Sequence, residues 1–139
     1  MSTMNAKTFE GLAQECVMSG FRHRMLYVFV RVEVGADDDA AMVQILFDAH
    51  QPASHGMTFA AVRQTADEQN SDWNMVVVGV AKNSDDSMPS DEQAQAFLTD
   101  MREKIMIGAI GGFALLDRSG HQVEVDTEVV PLTSTTLLN

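Results

Sequence analysis

The chain is poor in the residues that staple, kink or anchor a protein. It has one cysteine, Cys16, and no uncharged, mostly apolar run longer than the twelve residues Ile105–Leu116. A single cysteine excludes an internal disulfide, so the fold has to rest on a packed core. A run of that length falls short of the ~20 residues that cross a bilayer as a helix. Cations are scarce as well. Nine Lys and Arg face twenty Asp and Glu, for a net charge of −11. The deficit is spread out, with five basic against nine acidic groups in residues 1–70 and four against eleven in residues 71–139. No stretch gathers enough cations to neutralise several phosphates, the main source of non-specific nucleic-acid affinity. The same charge opposes docking on anionic membranes. Neither nucleic acid nor membrane is therefore expected as a partner, and the acidity reads as a solubility feature. Residues 1–7 lack the cationic-then-apolar order of a secretory signal, and Ser2 excludes N-myristoylation. A cytoplasmic protein is expected.

What remains is ordinary globular composition. At 139 residues and 45% hydrophobic, the chain suits a single domain over 1–139 with its own core. Residues 1–7 and 132–139 are expected as flexible ends.

Periodicity divides the chain into eight segments. Phe9, Leu12, Ala13, Cys16 and Val17 form one helical stripe over 9–19, with Thr8 as N-cap and Gly20 beyond the C-terminus. Cys16 in that stripe reads as a small core residue. Residues 25–34 form a strand that is apolar at every position in its first half, which implies burial on both faces. Gly35–Asp39 reads as a solvated turn, because it lacks the alternating oxygens and distal carboxylate of a Ca²⁺ loop. Residues 42–47 form the next strand, followed by a polar loop from Asp48 to Gly56. Thr58 caps a helix with Phe59, Val62 and Ala66 inward. Trp73–Val80 is a central strand. Ser90 and Gln93 form a capping box for a helix buried through Ala94, Phe97, Leu98, Met101 and Ile105. Phe113–Leu116 is a strand, Asp117–Gly120 a turn, and Val123–Val129 an alternating strand with Glu124, Asp126 and Glu128 on its wet face. The expected fold class is α+β: a single mixed β-sheet of about five strands with about three helices, order α-β-β-α-β-α-β-β, covered on one face.

Chemistry-bearing patterns are few. Asp48, His50 and His55 are the candidate metal ligands, since carboxylate and imidazole bind Zn²⁺ or Fe²⁺. Only Asp48 and His50 have the i, i+2 spacing of ligands on one strand face, so the favoured reading is a polar loop with no metal. No Gly-x-Ser-x-Gly elbow occurs, and the glycines at 108, 111 and 112 follow a helix instead of opening one, the reverse of a dinucleotide site. No catalytic residue and no cofactor are assigned.

A wider pattern joins Leu26–Val30, Phe47-Asp48, Trp73–Val78, Pro89-Ser90, Ala94, Phe97-Leu98, Met101, Ile105, Gly108 and Phe113–Arg118 with Gly120. It resembles a family of small bacterial proteins of unknown function, often labelled ribonucleotide reductase subunit alpha. Relatives commonly carry a lysine after the acid at 48, where this chain has Ala49, and the residues around 50–57 are additional. The label does not suit the residues: a reductase large subunit needs a radical cysteine and a redox pair in a far longer chain. A weaker likeness is to SseB-type domains, which implies protein interaction. The functional expectation is a non-catalytic cytoplasmic interaction domain with a protein partner or itself as a homodimer. Self-pairing is expected through the edge of the last strand. The alternatives are a small enzyme or metal or ligand binder using the Asp48–His55 loop, and an acidic dimer like a secretion chaperone. The terminal strands argue against the last of these.

Overall fold

Six consecutive aliphatic and aromatic side chains, Met25 to Val30, leave strand β1 no face to turn to water. All six are at most 3% exposed in the computed structural model, which describes residues 8–34, 41–123 and 129–131. β1 (His23–Val34) pairs antiparallel with β2 (Ala41–Pro52) on one side and β3 (Met75–Lys82) on the other. β4 (Ala114–Asp117) pairs antiparallel with β3. The result is a mixed α+β fold with three helices and a four-stranded antiparallel sheet in the order β4-β3-β1-β2. The short β5 (Val129–Pro131) lies parallel to the start of β2.

The sheet is covered on both faces, not on one as the sequence suggested. Met25, Tyr27 and Phe29 pack with helices α1 (Phe9–Met18) and α2 (Phe59–Gln69). Leu26, Val28 and Val30 pack with α3 (Asp91–Met106). The reason is the alternation of successive side chains on a strand. An uninterrupted apolar run needs a helical layer on each side.

Local signals place the helices. Thr8 Oγ1 accepts from Gly11 N–H, and Thr58 Oγ1 accepts from Ala61 N–H, at 3.1 and 3.3 Å. Ser90 and Gln93 exchange both bonds of a capping box at 3.1 and 2.9 Å. Strand boundaries shift from expectation by one or two residues at several ends, such as His23 for β1 and Lys82 for β3, and two shifts have a clear physical reason. β2 runs on to Pro52, so the expected loop shrinks to residues 53–58. β3 starts at Met75, because Trp73 is a core anchor at 1% exposure and the Asn74 carboxamide takes the place of a strand residue. That carboxamide accepts from Val32 N–H at 2.8 Å and donates to Val32 C=O at 2.9 Å. The expected turn at Gly35–Asp39, the acidic stretch 124–128 of the expected last strand, and the ends 1–7 and 132–139 lie outside the described residues.

The turn after β4 is fixed by Gly120. It has φ +86°, and a Cβ there would lie 2.8 Å from Phe59 Cγ. Its carbonyl accepts from Phe9 N–H at 2.8 Å, tying α1 to the turn. Gly120→Ala therefore combines left-handed strain with a clash against α2. Its expected cost is about 1–3 kcal/mol, read as a lowered urea midpoint with unchanged slope.

Candidate binding cleft

β2 does not stay in step with β1. Phe29 faces Phe47, yet Val30 faces Ile45, so Leu46 is an additional residue that bulges the strand. The bulge puts Leu46 and Phe47 together on the α1–α2 face while Ile45 turns to the α3 face. Phe47 then stacks on Phe29 with ring centres 4.6 Å apart and planes 16° from parallel. Beyond this stack, α2 stands off the sheet and leaves a cleft of about 290 Å³. Its floor is Tyr27, Phe29, Phe47 and Ala49, and its α2 wall includes Ala61 and Thr65. That volume is at the lower bound of small-molecule pockets, ~300 Å³.

One polar pair lies within this apolar surface. Gln51 Nε2 donates to Tyr27 Oη at 2.6 Å across the β1–β2 pair. Burial pushes the Tyr27 phenol well above its ordinary range, so it stays protonated and keeps a hydrogen to donate. Both residues line the cleft.

α2 is held in place at both ends. At its start, Phe59 N–H donates to Glu10 Oε2 of α1 at 2.8 Å, a carboxylate at a helix N-terminus. Near its end, Asp67 takes two bonds from the Arg118 guanidinium, both 2.9 Å, and one from Trp73 Nε1 at 3.0 Å. The guanidinium also lies 4.3 Å from the Trp73 ring centre, a cation–π contact. Arg63 closes the group by donating to Arg118 C=O at 2.8 Å.

The candidate metal ligands do not converge. Asp48 and His50 are on β2, not in a loop, because each polar side chain of that stretch finds a partner. Asp48 Oδ2 accepts from Arg102 of α3 at 2.8 Å. His50 Nδ1 is 3.1 Å from Arg24 Nη1. A guanidinium only donates, so Nδ1 accepts and the imidazole proton sits on Nε2. His55 lies in the exposed turn after β2. Among the described residues, no three His, Cys, Asp or Glu side chains are placed to hold a metal ion.

Cys16 is half-buried instead of fully enclosed. It borders a hollow beside α1 that is lined also by Leu12, Val78 and Ala114. Phe97, expected inward on α3, is 40% exposed, with Ala94, Leu98, Met101 and Ile105 covering the sheet without it.

The sequence reading missed the cleft and the Asp67–Arg118–Trp73 group. Tyr27 is the only polar side chain between Met25 and Val30, which is a signal. Its partner lies 24 residues away in a stretch read as loop. Arg118 stood in a recognised turn, with nothing local to mark its link to a helix 51 residues earlier.

Two outcomes are expected. The Arg118 guanidinium holds the Asp67 carboxyl below the usual carboxylate range. The folded state then binds that proton less readily than the unfolded chain. The pair stabilises the fold above the ordinary carboxylate pKa of ~3.9, and this contribution disappears as pH falls through the lowered folded value. Asp67→Asn should therefore lower the urea midpoint at neutral pH, with the gap to the parent protein closing in acid. Burial, and secondarily the Glu15 carboxylate, push the Cys16 thiol up. Alkylation of native protein should begin at higher pH than for free cysteine, and unfolding in urea should remove that delay.

Comparison with protein-family models, with curated proteins and with solved structures finds no match to this chain.

Proposed function

We propose that the protein is a non-catalytic binding domain whose ligand seat is the cleft between α2 and strands β1–β2. The observation that carries this reading is the make-up of the cleft. Its polar groups are a phenol kept protonated by burial, carboxamides and threonine hydroxyls. Such groups orient a ligand by hydrogen bonds and do not exchange protons near neutral pH. His50 also borders the cleft, but its imidazole turns to the α3 face, where Arg24 engages its Nδ1. The occupant is a neutral, mainly apolar group, with one acceptor for the Tyr27 hydroxyl. The same reading takes that group from a protein partner or a second copy in the cytoplasm. It takes the whole sheet as five strands, β4-β3-β1-β2-β5.

N-phenyl-1-naphthylamine, a neutral apolar dye, tests the seat. Its emission should rise saturably on titration with native protein. Ala61→Trp places an indole at the exposed α2 wall without touching a core residue, and it should abolish the rise while leaving the circular dichroism spectrum unchanged. A rise of equal size in that variant would remove the cleft as the seat.

A further inference from the structure

β2 separates two recesses. Phe47, Ala49 and Gln51 line the cleft under α2, and Ile45 and Asp48 line a groove under α3. Among the described residues, nothing pairs with the outer side of β2 beyond Val43. The bulge at Leu46 and the proline at 52 bound the regular part of this open edge, leaving Phe47–Gln51. At ~3.4 Å per residue this is about 17 Å of unpaired strand. Bulge and proline blunt an edge where they stand, and neither falls inside this stretch.

From this placement we infer that the Phe47–Gln51 edge of β2 takes up an extended peptide segment as an additional strand, one in which apolar and basic side chains alternate. An added strand sends successive side chains to opposite faces. One set enters the uncharged cleft over Phe47 and Ala49. The other set meets the α3 groove. There Asp48, Asp100 and Glu103 face Arg102 and Lys104. The bonds Arg102–Asp48 at 2.8 Å and Lys104–Asp100 at 2.7 Å pair four of these, so the groove carries one acid in excess. The whole chain adds a net charge of −11, which steers a cationic segment towards it. A second copy of this acidic chain is the less favoured occupant on the same ground. The inference rests on the cleft being a ligand seat and names what fills it.

The test uses the intact protein and a short fluorescein-labelled peptide of alternating valine and lysine, followed by anisotropy. Saturable binding is expected. A peptide of the same composition with its valines and lysines in separate blocks should bind about tenfold more weakly, since it cannot serve both faces. Methylating the backbone nitrogens of one alternating set should weaken binding by about tenfold, the ratio given by one or two net hydrogen bonds. Methylating the other set should be tolerated. Equal affinity for the alternating and blocked peptides, or equal tolerance of both methylated sets, would reduce the interaction to charge attraction and overturn strand addition. Absence of peptide binding by protein that still takes up the naphthylamine dye would overturn the inference and leave the cleft as a seat. Absence of both would remove the two together. Sedimentation showing a dimer whose formation blocks uptake of the alternating peptide would put a second copy on the edge, against the inference.

Discussion

The constraint on which the structure depends is the burial of β1 on both faces. Met25 to Val30 bring six apolar side chains out of water in one strand. At ~25 cal/mol per Å² of apolar surface, burying each is worth roughly 1.5–3 kcal/mol relative to exposure. No arrangement with one helical layer collects that gain, because half of the run would face solvent. Two layers follow, and with them the central position of β1 between β2 and β3. α1 and α2 cover the face of Tyr27 and Phe29, and α3 covers the face of Val28 and Val30. Apart from the Tyr27 hydroxyl, β1 is polar only towards its ends. Arg24 there donates through Nε to Pro89 C=O at 2.8 Å, just before α3, and Arg31 donates to Asp72 C=O at 2.8 Å.

The cleft is a consequence of one polar residue inside that run. A phenol buried at 3% exposure costs free energy unless its oxygen is bonded. Gln51 supplies the bond, and it does so only because β2 continues past Asp48 as a strand. The bulge at Leu46 belongs to the same solution. It shifts β2 by one residue, so Phe47, Ala49 and Gln51 face α2 while Asp48 and His50 face α3, where Arg102 and Arg24 meet them. Without the shift, the polar and apolar residues of this stretch would exchange faces. α2 does not collapse onto the opening, since Glu10 at one end and Arg118 at the other fix its distance from the sheet.

Much of this was legible in the sequence where the signal is local. The Ser90–Gln93 box, the Thr8 and Thr58 caps and the turn at Gly120 each depend on residues within four positions of one another. Their geometry follows from side-chain chemistry alone. The end of β2 was not legible. Asp48, His50 and Gln51 read as a loop by composition, and what makes them a strand is a set of partners on β1 and α3. Trp73 read as a strand residue by propensity, yet it serves as an anchor between Phe29 and Phe59, with ring centres 5.0 and 6.2 Å away. The candidate metal residues show the same limit. Asp48 and His50 have the i, i+2 spacing of one strand face, yet the stretch read as a loop, and spacing carried no information about the two arginines that engage them. Cys16 marks the limit from the other side. Helical periodicity gave its direction, while its depth depended on a hollow between α1 and the sheet that no local pattern marks.

The two long strands thus divide the work of the sheet. β1 is paired on both sides and covered on both faces, so opening it exposes most of the core at once. β2 is paired along its length with β1, while among the described residues its outer side is paired only at Ala41–Val43, and its side chains from Ile45 to Gln51 are half-buried. Local opening is least costly where few apolar contacts are lost, which places it along the outer half of β2. That is also where the cleft and the α3 groove meet. A bound segment would gain backbone hydrogen bonds from groups that water already satisfies, so each bond contributes only about 0.5–1.5 kcal/mol net. Selectivity then has to come from the side chains that the two recesses accept. An apolar cleft on one face and an acidic groove on the other impose a period of two on any occupant. This requirement is stricter than charge alone, because a cationic segment of the wrong period buries lysine against Phe47 and Ala49 and leaves its apolar side chains over Asp48.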